Sequence, residues 1–206
     1  MTIRFHKNDL PDLTQYVSAD AVAVDTETLG LNLLRDRLCV VQLSPGDGTA
    51  DVVQIEKGQK AAPNLTALLS DPDKTKIFHF ARFDVAILRQ NLGIHVNPVW
   101  CTKIASKLCR TYTDRHGLKD VTRELLSVDL SKQQQSSDWA AETLTDAQLE
   151  YAASDVLHLH GLKARLEFML EREERLHLAK ACFDFLPTRG ELDLKGWGEV
   201  DIFAHA

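Results

Sequence analysis

The sequence contains no hydrophobic run long enough to cross a membrane, and its first six residues lack the apolar core of a secretory signal. We therefore expect a cytoplasmic protein with no membrane partner. The four cysteines also lack the CxxC pairing and the ligand spacing that are typical of a zinc site. Buried free thiols are the default for cysteines of this kind.

An excess of positive charge is missing as well, since 24 Lys and Arg stand against 30 Asp and Glu, a formal net charge of −6. A protein that grips long duplex by neutralising phosphates usually carries a basic face. Two bound divalent cations would bring the formal charge from −6 to −2. A nucleic-acid substrate therefore stays open, but an extended electrostatic grip on it is not expected.

No internal repeat and no domain linker interrupts the chain, so residues 1–206 are expected to form one domain. The pattern has strands first and helices afterwards, which favours an α/β fold with a mixed central β-sheet flanked by helices. The expected strands cover residues 2–5, 21–24, 38–44, 49–55 and 76–80. The expected helices cover residues 8–17, 64–70, 82–91, 102–108, 118–125 and one long stretch, 145–175.

The second expected strand carries the first candidate site residues. Ala21 to Val24 is an apolar run rich in β-branched residues, and Asp25 and Glu27 follow at its end. Residues two apart on a strand point to the same side. Two carboxylates on one face of a buried strand end are costly unless a cation lies between them, and Mg²⁺ and Mn²⁺ prefer carboxylate oxygens. A solvated strand end is the alternative interpretation.

Two later segments supply matching acids. Asp84 follows the strand that ends near His79 and falls in the first turn of a helix, where the helix dipole favours an anion. Tyr151 and Asp155 are four residues apart and share one helix face, and the alanines between them permit close approach. Taken singly, each of these residues is better explained by an ordinary helix terminus, a packed ring or a solvated acid.

Taken together, these motifs resemble the DEDDy 3′–5′ exonucleases of the ribonuclease D type. The resemblance covers about residues 21–166 and includes the segment from Ser136 to Trp139. Ribonuclease D proper carries further helical domains, so this compact chain, with its acidic, Trp-containing tail, is more similar to the nanoRNase C (oligoribonuclease C) group. The resemblance implies a ribonuclease H-like fold and hydrolysis of short RNA, dinucleotides above all, to nucleoside 5′-monophosphates.

The resemblance also implies a two-metal site for Mg²⁺ or Mn²⁺, with Asp25, Glu27, Asp84 and Asp155 as ligands and Tyr151 as the fifth catalytic residue. Asp25 would bridge the ions, and the Tyr151 hydroxyl would orient or deprotonate the attacking water. A free tyrosine titrates near pH ~10, so orientation is the expected role unless its neighbours lower that value.

Candidate substrate contacts are Leu31, which resembles the family's apolar wedge, together with Thr26, His79 and Trp100. A leucine that closes the core and a packed, satisfied histidine are comparably good explanations of Leu31 and His79. The basic residues Lys103, Lys107, Arg110 and Arg115 are more simply explained as a solvated helix face.

The tail, about residues 186–206, combines a net acidic charge with apolar residues such as Trp197 and Phe203. It is expected either to make contacts in a homo-oligomer or to pack back on its own domain. Other functions left open are trimming of structured RNA, DNA proofreading and a non-catalytic nucleic-acid-binding module of the same fold. Retention of all four acids argues against the last, because unfilled acid clusters repel.

Overall fold

The computed structural model describes residues 2–131 and 133–205. Its centre is a six-stranded mixed sheet with the strand order β1-β4-β3-β2-β5-β6. The strands are β1 (Thr2–Lys7), β2 (Ala21–Thr28), β3 (Leu38–Ser44), β4 (Thr49–Gln54), β5 (Thr75–Phe78) and β6 (Val99–Cys101). The pairs β2–β3 and β3–β4 are antiparallel, and the other three pairs are parallel.

Seven α-helices surround this sheet in the described residues. They are α1 (Pro63–Leu69), α2 (Ala81–Leu92), α3 (Thr102–Cys109), α4 (Leu118–Leu126), α5 (Asp146–Leu157), α6 (Leu159–Arg172) and α7 (Leu176–Leu192). Gly93 ends α2 in the left-handed conformation, and Thr145 begins α5 with a capping box to Gln148. No helix of the described chain is both long enough and apolar enough to cross a membrane.

The predicted first helix over residues 8–17 is wrong. The structure has only a short 3₁₀ turn at Thr14–Tyr16. The Asp9 carboxylate, which favours a helix start in the sequence, instead accepts the backbone N–H groups of Asn64 and Leu65 at the start of α1. The cap residue therefore stabilises a helix that lies more than fifty residues further along the chain.

The predicted long helix over residues 145–175 is also wrong in its continuity, because α5 and α6 separate at His158 and α6 ends at Arg172. Two of the strands and α-helices described above were not predicted, namely β6 and α7. In the sequence, Pro187 and Gly190 argue against a helix, but both residues lie inside α7. Gly190 lies against the backbone of Ala86 in α2, where an added Cβ would stand 3.4 Å from the backbone nitrogen of Ala86.

The pairing of β2 explains why its carboxyl end is available for a site. Residues Ala21 to Ala23 pair with β5, whereas Asp25 to Thr28 pair only with β3. Because β5 ends at Phe78 and the chain turns into α2, the start of α2 lies beside the unpaired edge of β2. This arrangement brings the first turn of α2 towards the acidic end of β2.

Candidate active site

Three carboxylates converge at the end of β2. Asp25 and Glu27 of β2 and Asp155 of α5 each offer an oxygen atom, and these oxygens lie within 4.8 Å of one another. Ala152 and Ala153 of α5 are fully buried, and their small side chains let this helix approach the sheet closely. The arrangement satisfies the ligand chemistry of a hard divalent cation such as Mg²⁺.

Asp84 lies at the edge of this cluster, in the first turn of α2. Its carboxylate is buried and accepts a hydrogen bond of 2.7 Å from the hydroxyl of Thr26. No side-chain cap satisfies the start of α2, and Phe80 enters it with a φ of 75°. The Thr26 hydroxyl thus fixes the orientation of a fourth acid next to the first three.

Four negative charges so close together, and buried, repel one another. Burial, followed by repulsion from Asp84 and Asp155, raises the pKa of Asp25 well above its ordinary value. Burial and the same neighbours raise the pKa of Glu27 to about 9. Burial also raises the pKa of Asp155. Bound divalent cations would relieve this repulsion, so the residues present fit the metal site that the sequence predicts.

Tyr151 lies beside this cluster. Burial is the largest cause that raises the pKa of its hydroxyl, and the charges of Asp155, Glu27 and Asp25 add to it. The phenol ring packs against Trp139, with 5.9 Å between ring centroids. The hydroxyl therefore stays protonated near neutral pH and can donate a hydrogen bond.

Asp25, Glu27, Tyr151 and Asp155 line a cavity of about 310 Å³. Its walls also include residues that the sequence did not single out as site residues, namely Lys103, Gly117, Leu118, Lys119, Leu130, Ser131 and Gln135. Lys103, predicted to be a solvated cation, lies over the Phe80 ring at 4.4 Å. No local motif marks these residues, because their contribution depends on how the start of α4 and the segment around Leu130 and Ser131 pack near the sheet.

The predicted substrate contacts fall in different places. His79 lines the cavity and bonds through Nδ1 to the Thr102 hydroxyl at 2.8 Å. Burial, and then Lys103, lowers its pKa to about 3, so the ring is neutral. Leu31 is 85% exposed and lines a second cavity with Phe80. Thr26 lines the first cavity.

Trp100 does not reach either of these cavities. It is 5% exposed and packs against Phe183 of α7, with 5.0 Å between ring centroids. The prediction of Trp100 as a substrate contact is therefore not supported by its position. The sequence around Trp100 does not show whether this tryptophan is exposed or buried. The helix that covers it, α7, lies about eighty residues further along the chain.

Gln42 is a site neighbour that no pattern in the sequence indicates. It is fully buried on β3, directly opposite Asp25, and its Nε2 donates to the Asp25 carboxylate over 3.3 Å. Its placement follows from the register of β2 against β3, which local patterns do not define. The contact helps to orient the Asp25 carboxylate.

A model of the family described as 3′–5′ exonuclease matches residues 5–171. The chain belongs to the 3′–5′ exonuclease family. Ribonuclease D of Granulibacter bethesdensis is 34% identical over 155 residues, which make up 75% of this chain and 39% of that protein. The chain thus spans about two fifths of the length of the curated ribonuclease D proteins it matches.

Solved structures of this exonuclease family extend the comparison over the whole chain. Brucella melitensis NrnC with bound Mg²⁺ is 69% identical, with a TM-score of 0.96 and complete coverage of both chains. NrnC bound to pGG is 70% identical, with a TM-score of 0.97 and the same coverage. Escherichia coli RNase D is 27% identical, with a TM-score of 0.74, over 84% of this chain and 45% of that one.

These comparisons confirm two predictions from the sequence. The first is the resemblance to ribonuclease D-type exonucleases and to nanoRNase C. The second is the fold class, a mixed sheet flanked by helices in a ribonuclease H-like exonuclease architecture. The family whose model matches is described by the same activity that the resemblance implies, 3′–5′ exonuclease.

Proposed function

We propose that the chain is a divalent-metal-dependent 3′–5′ exoribonuclease that hydrolyses short RNA, dinucleotides above all, to nucleoside 5′-monophosphates. The observation that carries this proposal is the convergence of Asp25, Glu27 and Asp155 within 4.8 Å, on the floor of a cavity that Tyr151 also lines. The Mg²⁺ and the pGG bound to Brucella melitensis NrnC support the cation and the substrate class.

The roles of the residues follow from their geometry. Asp25, Glu27 and Asp155 would hold the cations, and Asp84, oriented by the Thr26 hydroxyl, would complete the set. When bound, divalent cations supply Lewis acidity to the scissile phosphate and lower the pKa of a bound water. The bond between phosphorus and the 3′-oxygen breaks, and the water oxygen takes its place on phosphorus.

Tyr151 would orient the attacking water as a hydrogen-bond donor. Its pKa is raised rather than lowered by burial and by the carboxylates, so deprotonation of the water by a tyrosinate is disfavoured. His79 is neutral and would contact the substrate as an uncharged partner. The sequence left orientation and deprotonation open, and the local electrostatics favour orientation.

The size and charge of the cavity support a short substrate. A volume of about 310 Å³ is in the range of small-molecule sites and does not admit a duplex. Lys103 and Lys119 line the same cavity as the acids and add two cations to its wall. Outside the cavity, the acidic chain offers little to retain a long polynucleotide.

The test is digestion of 5′-labelled RNAs of two to twenty nucleotides in Mg²⁺ and, separately, in Mn²⁺. We expect the dinucleotide to be cleaved fastest and Asp25→Asn to be inactive at every length. A DNA dinucleotide of the same sequence measures discrimination against the missing 2′-hydroxyl. Preferential shortening of structured RNA would favour the ribonuclease D-like alternative, and binding without cleavage would favour a non-catalytic module.

We also propose that the chain forms a homo-oligomer through the end of its tail. Four apolar side chains remain exposed there although the preceding residues pack on α2 and α7, namely Trp197, Val200, Ile202 and Phe203. Exposed apolar groups in one short segment are typical of contact surfaces. Light scattering of wild type and of Ile202→Ser with Phe203→Ser tests this proposal, and a wild-type monomer would refute it.

A further inference from the structure

A second, smaller apolar cluster lies between α5 and the strands β3 and β4, apart from the main core. Its buried members are Cys39, Val40, Val52, Trp139, Leu144 and Ala152. Tyr151 packs against this cluster and also lines the cavity with the carboxylates. The ring of Tyr151 therefore has one side in an apolar wall and the other side in the candidate active site.

The backbone on both sides of Trp139 is held by buried glutamines. Gln148 of α5 donates from Nε2 to the carbonyl oxygen of Asp138 over 3.1 Å. Gln54 of β4 donates from Nε2 to the carbonyl oxygen of Ala141 over 2.8 Å. Both glutamines are buried, so these bonds are shielded from water. Trp139 lies in an irregular segment, but the backbone on either side of it is thus hydrogen-bonded to a helix and to a strand.

The contact between the indole and the phenol is direct. The ring centroids of Trp139 and Tyr151 lie 5.9 Å apart, with an angle of 41° between the ring planes. Tilted aromatic pairs at this separation attract and restrict each other's orientation. On its other side, Tyr151 faces Asp155 one helical turn away, so the indole is the apolar surface against which the phenol must lie.

We propose that Trp139 is a positioning residue for Tyr151, and that the indole fixes the phenol ring so that its hydroxyl faces the carboxylate cluster. The proposal rests on the proposed role of Tyr151 in orienting the attacking water. A displacement of about 1 Å of a reacting group can cost about a hundredfold in rate. Loss of the indole would therefore reduce turnover without removing any group that touches metal or substrate.

Two substitutions separate this role from a general loss of stability. Trp139→Leu removes the aromatic wall, whereas Trp139→Phe keeps an aromatic ring. The indole Nε1 is buried and has no hydrogen-bond partner among the described residues, so phenylalanine gives up no hydrogen bond there. Phe183→Leu is the matched control, because Phe183 is a buried aromatic of the main core that packs on Trp100.

The kinetic test is a double-mutant cycle with Tyr151→Phe. We expect Trp139→Leu to lower kcat by about 10- to 100-fold with KM changed by less than about threefold, and Trp139→Phe to restore most of the loss. In the Tyr151→Phe background, Trp139→Leu should lower kcat by less than about twofold, because the indole then has no hydroxyl to position. Equal factors in both backgrounds would overturn the proposal.

A second measurement does not depend on catalysis. The chain has three tyrosines, Tyr16, Tyr112 and Tyr151, so 3-fluorotyrosine labelling gives three ¹⁹F signals that Tyr→Phe variants assign. We expect Trp139→Leu to shift or broaden the Tyr151 signal in the folded, metal-free protein and to leave the buried Tyr16 signal in place. Phe183→Leu should leave both unchanged. An unmoved Tyr151 signal refutes the positioning role, whereas wild-type turnover in Tyr151→Phe refutes the proposed function of that hydroxyl instead.

Discussion

Asp25→Asn tests whether the carboxylate cluster exists for cations or for the fold. Asparagine has the size of aspartate and still accepts the hydrogen bond from Gln42, but it carries no charge. If Asp25 holds cations, the substitution removes activity while the fold remains. If Asp25 is a structural residue, activity and stability should fall together.

The geometry gives the magnitude of the expected stability change. The three clustered acids offer oxygens within 4.8 Å of one another, and two unit charges at that separation repel by about 3.5 kcal/mol at an effective dielectric constant of ~20. The raised pKa values mean that the metal-free cluster keeps some of its protons, so only part of this repulsion is present. We expect Asp25→Asn to stabilise the metal-free protein by about 1–2 kcal/mol, which raises Tm by about 2–8 °C for a chain of this size.

The assay combines thermal melts with turnover. In EDTA, Asp25→Asn should melt above wild type, while the exposed-acid control Asp73→Asn should not. Mg²⁺ at about a hundred times its Kd should stabilise wild type by about 2.7 kcal/mol, and this gain should be lost in Asp25→Asn. Turnover should fall by more than about a thousandfold. Turnover within tenfold of wild type, or an unchanged response to Mg²⁺, would refute Asp25 as a cation ligand.

Three further predictions follow from single features of the structure. Tyr151→Phe should lower turnover by about 10²–10⁴-fold and leave calorimetric Mg²⁺ binding unchanged, since the hydroxyl acts on the water; loss of Mg²⁺ binding would contradict this. Burial and neighbouring acids raise the pKa of Glu27 to about 9, so the folded protein retains a proton that the unfolded chain releases near pH 4.5. Metal-free melts from pH 7 to 8, above the range in which histidines titrate, should therefore show stability falling with pH, and saturating Mg²⁺ should abolish the fall. Burial lowers the pKa of Lys76 to about 8, and its deprotonation opposes the trend at higher pH. Lys76 is fully buried and donates to three backbone carbonyls, so Lys76→Met should destabilise the fold by about 3–5 kcal/mol in urea melts; a loss below 1 kcal/mol would contradict the predicted structural role.

The local placement of two pairs of site residues could be predicted from short windows of sequence, because Asp25 and Glu27 follow a buried apolar run and Tyr151 and Asp155 share one helix face. That the acids belong to one metal site was implied by the resemblance to DEDDy exonucleases and not by the local patterns. The strands that form the sheet were found for the same reason. Only β6, three residues long, carries too little pattern to be recognised.

The parts that could not be predicted depend on contacts between distant residues. Asp9 caps α1 rather than a helix of its own, which no window around Asp9 reveals. Gln42 reaches Asp25 only through the register of two strands. Helix α7 accommodates Pro187 and Gly190 because packing on α2 outweighs their low helix propensity.

The tail shows how one segment can satisfy two expectations that the sequence presents as alternatives. Its first part packs back on the domain, because Arg82 of α2 and Arg189 of α7 both bind the buried carboxylate of Asp193. Removal of Asp193 would leave the guanidinium groups of Arg82 and Arg189 without their shared partner. Arg82 lies in the same helical turn of α2 as Asp84, so the contact supports the turn that carries this acid. Its last part, with Phe203 78% exposed, remains available for contacts. Under the proposed homo-oligomer, a truncation that removes the whole tail would change both assembly and the support of a candidate cation ligand, whereas Ile202→Ser leaves the contacts of Asp193 in place.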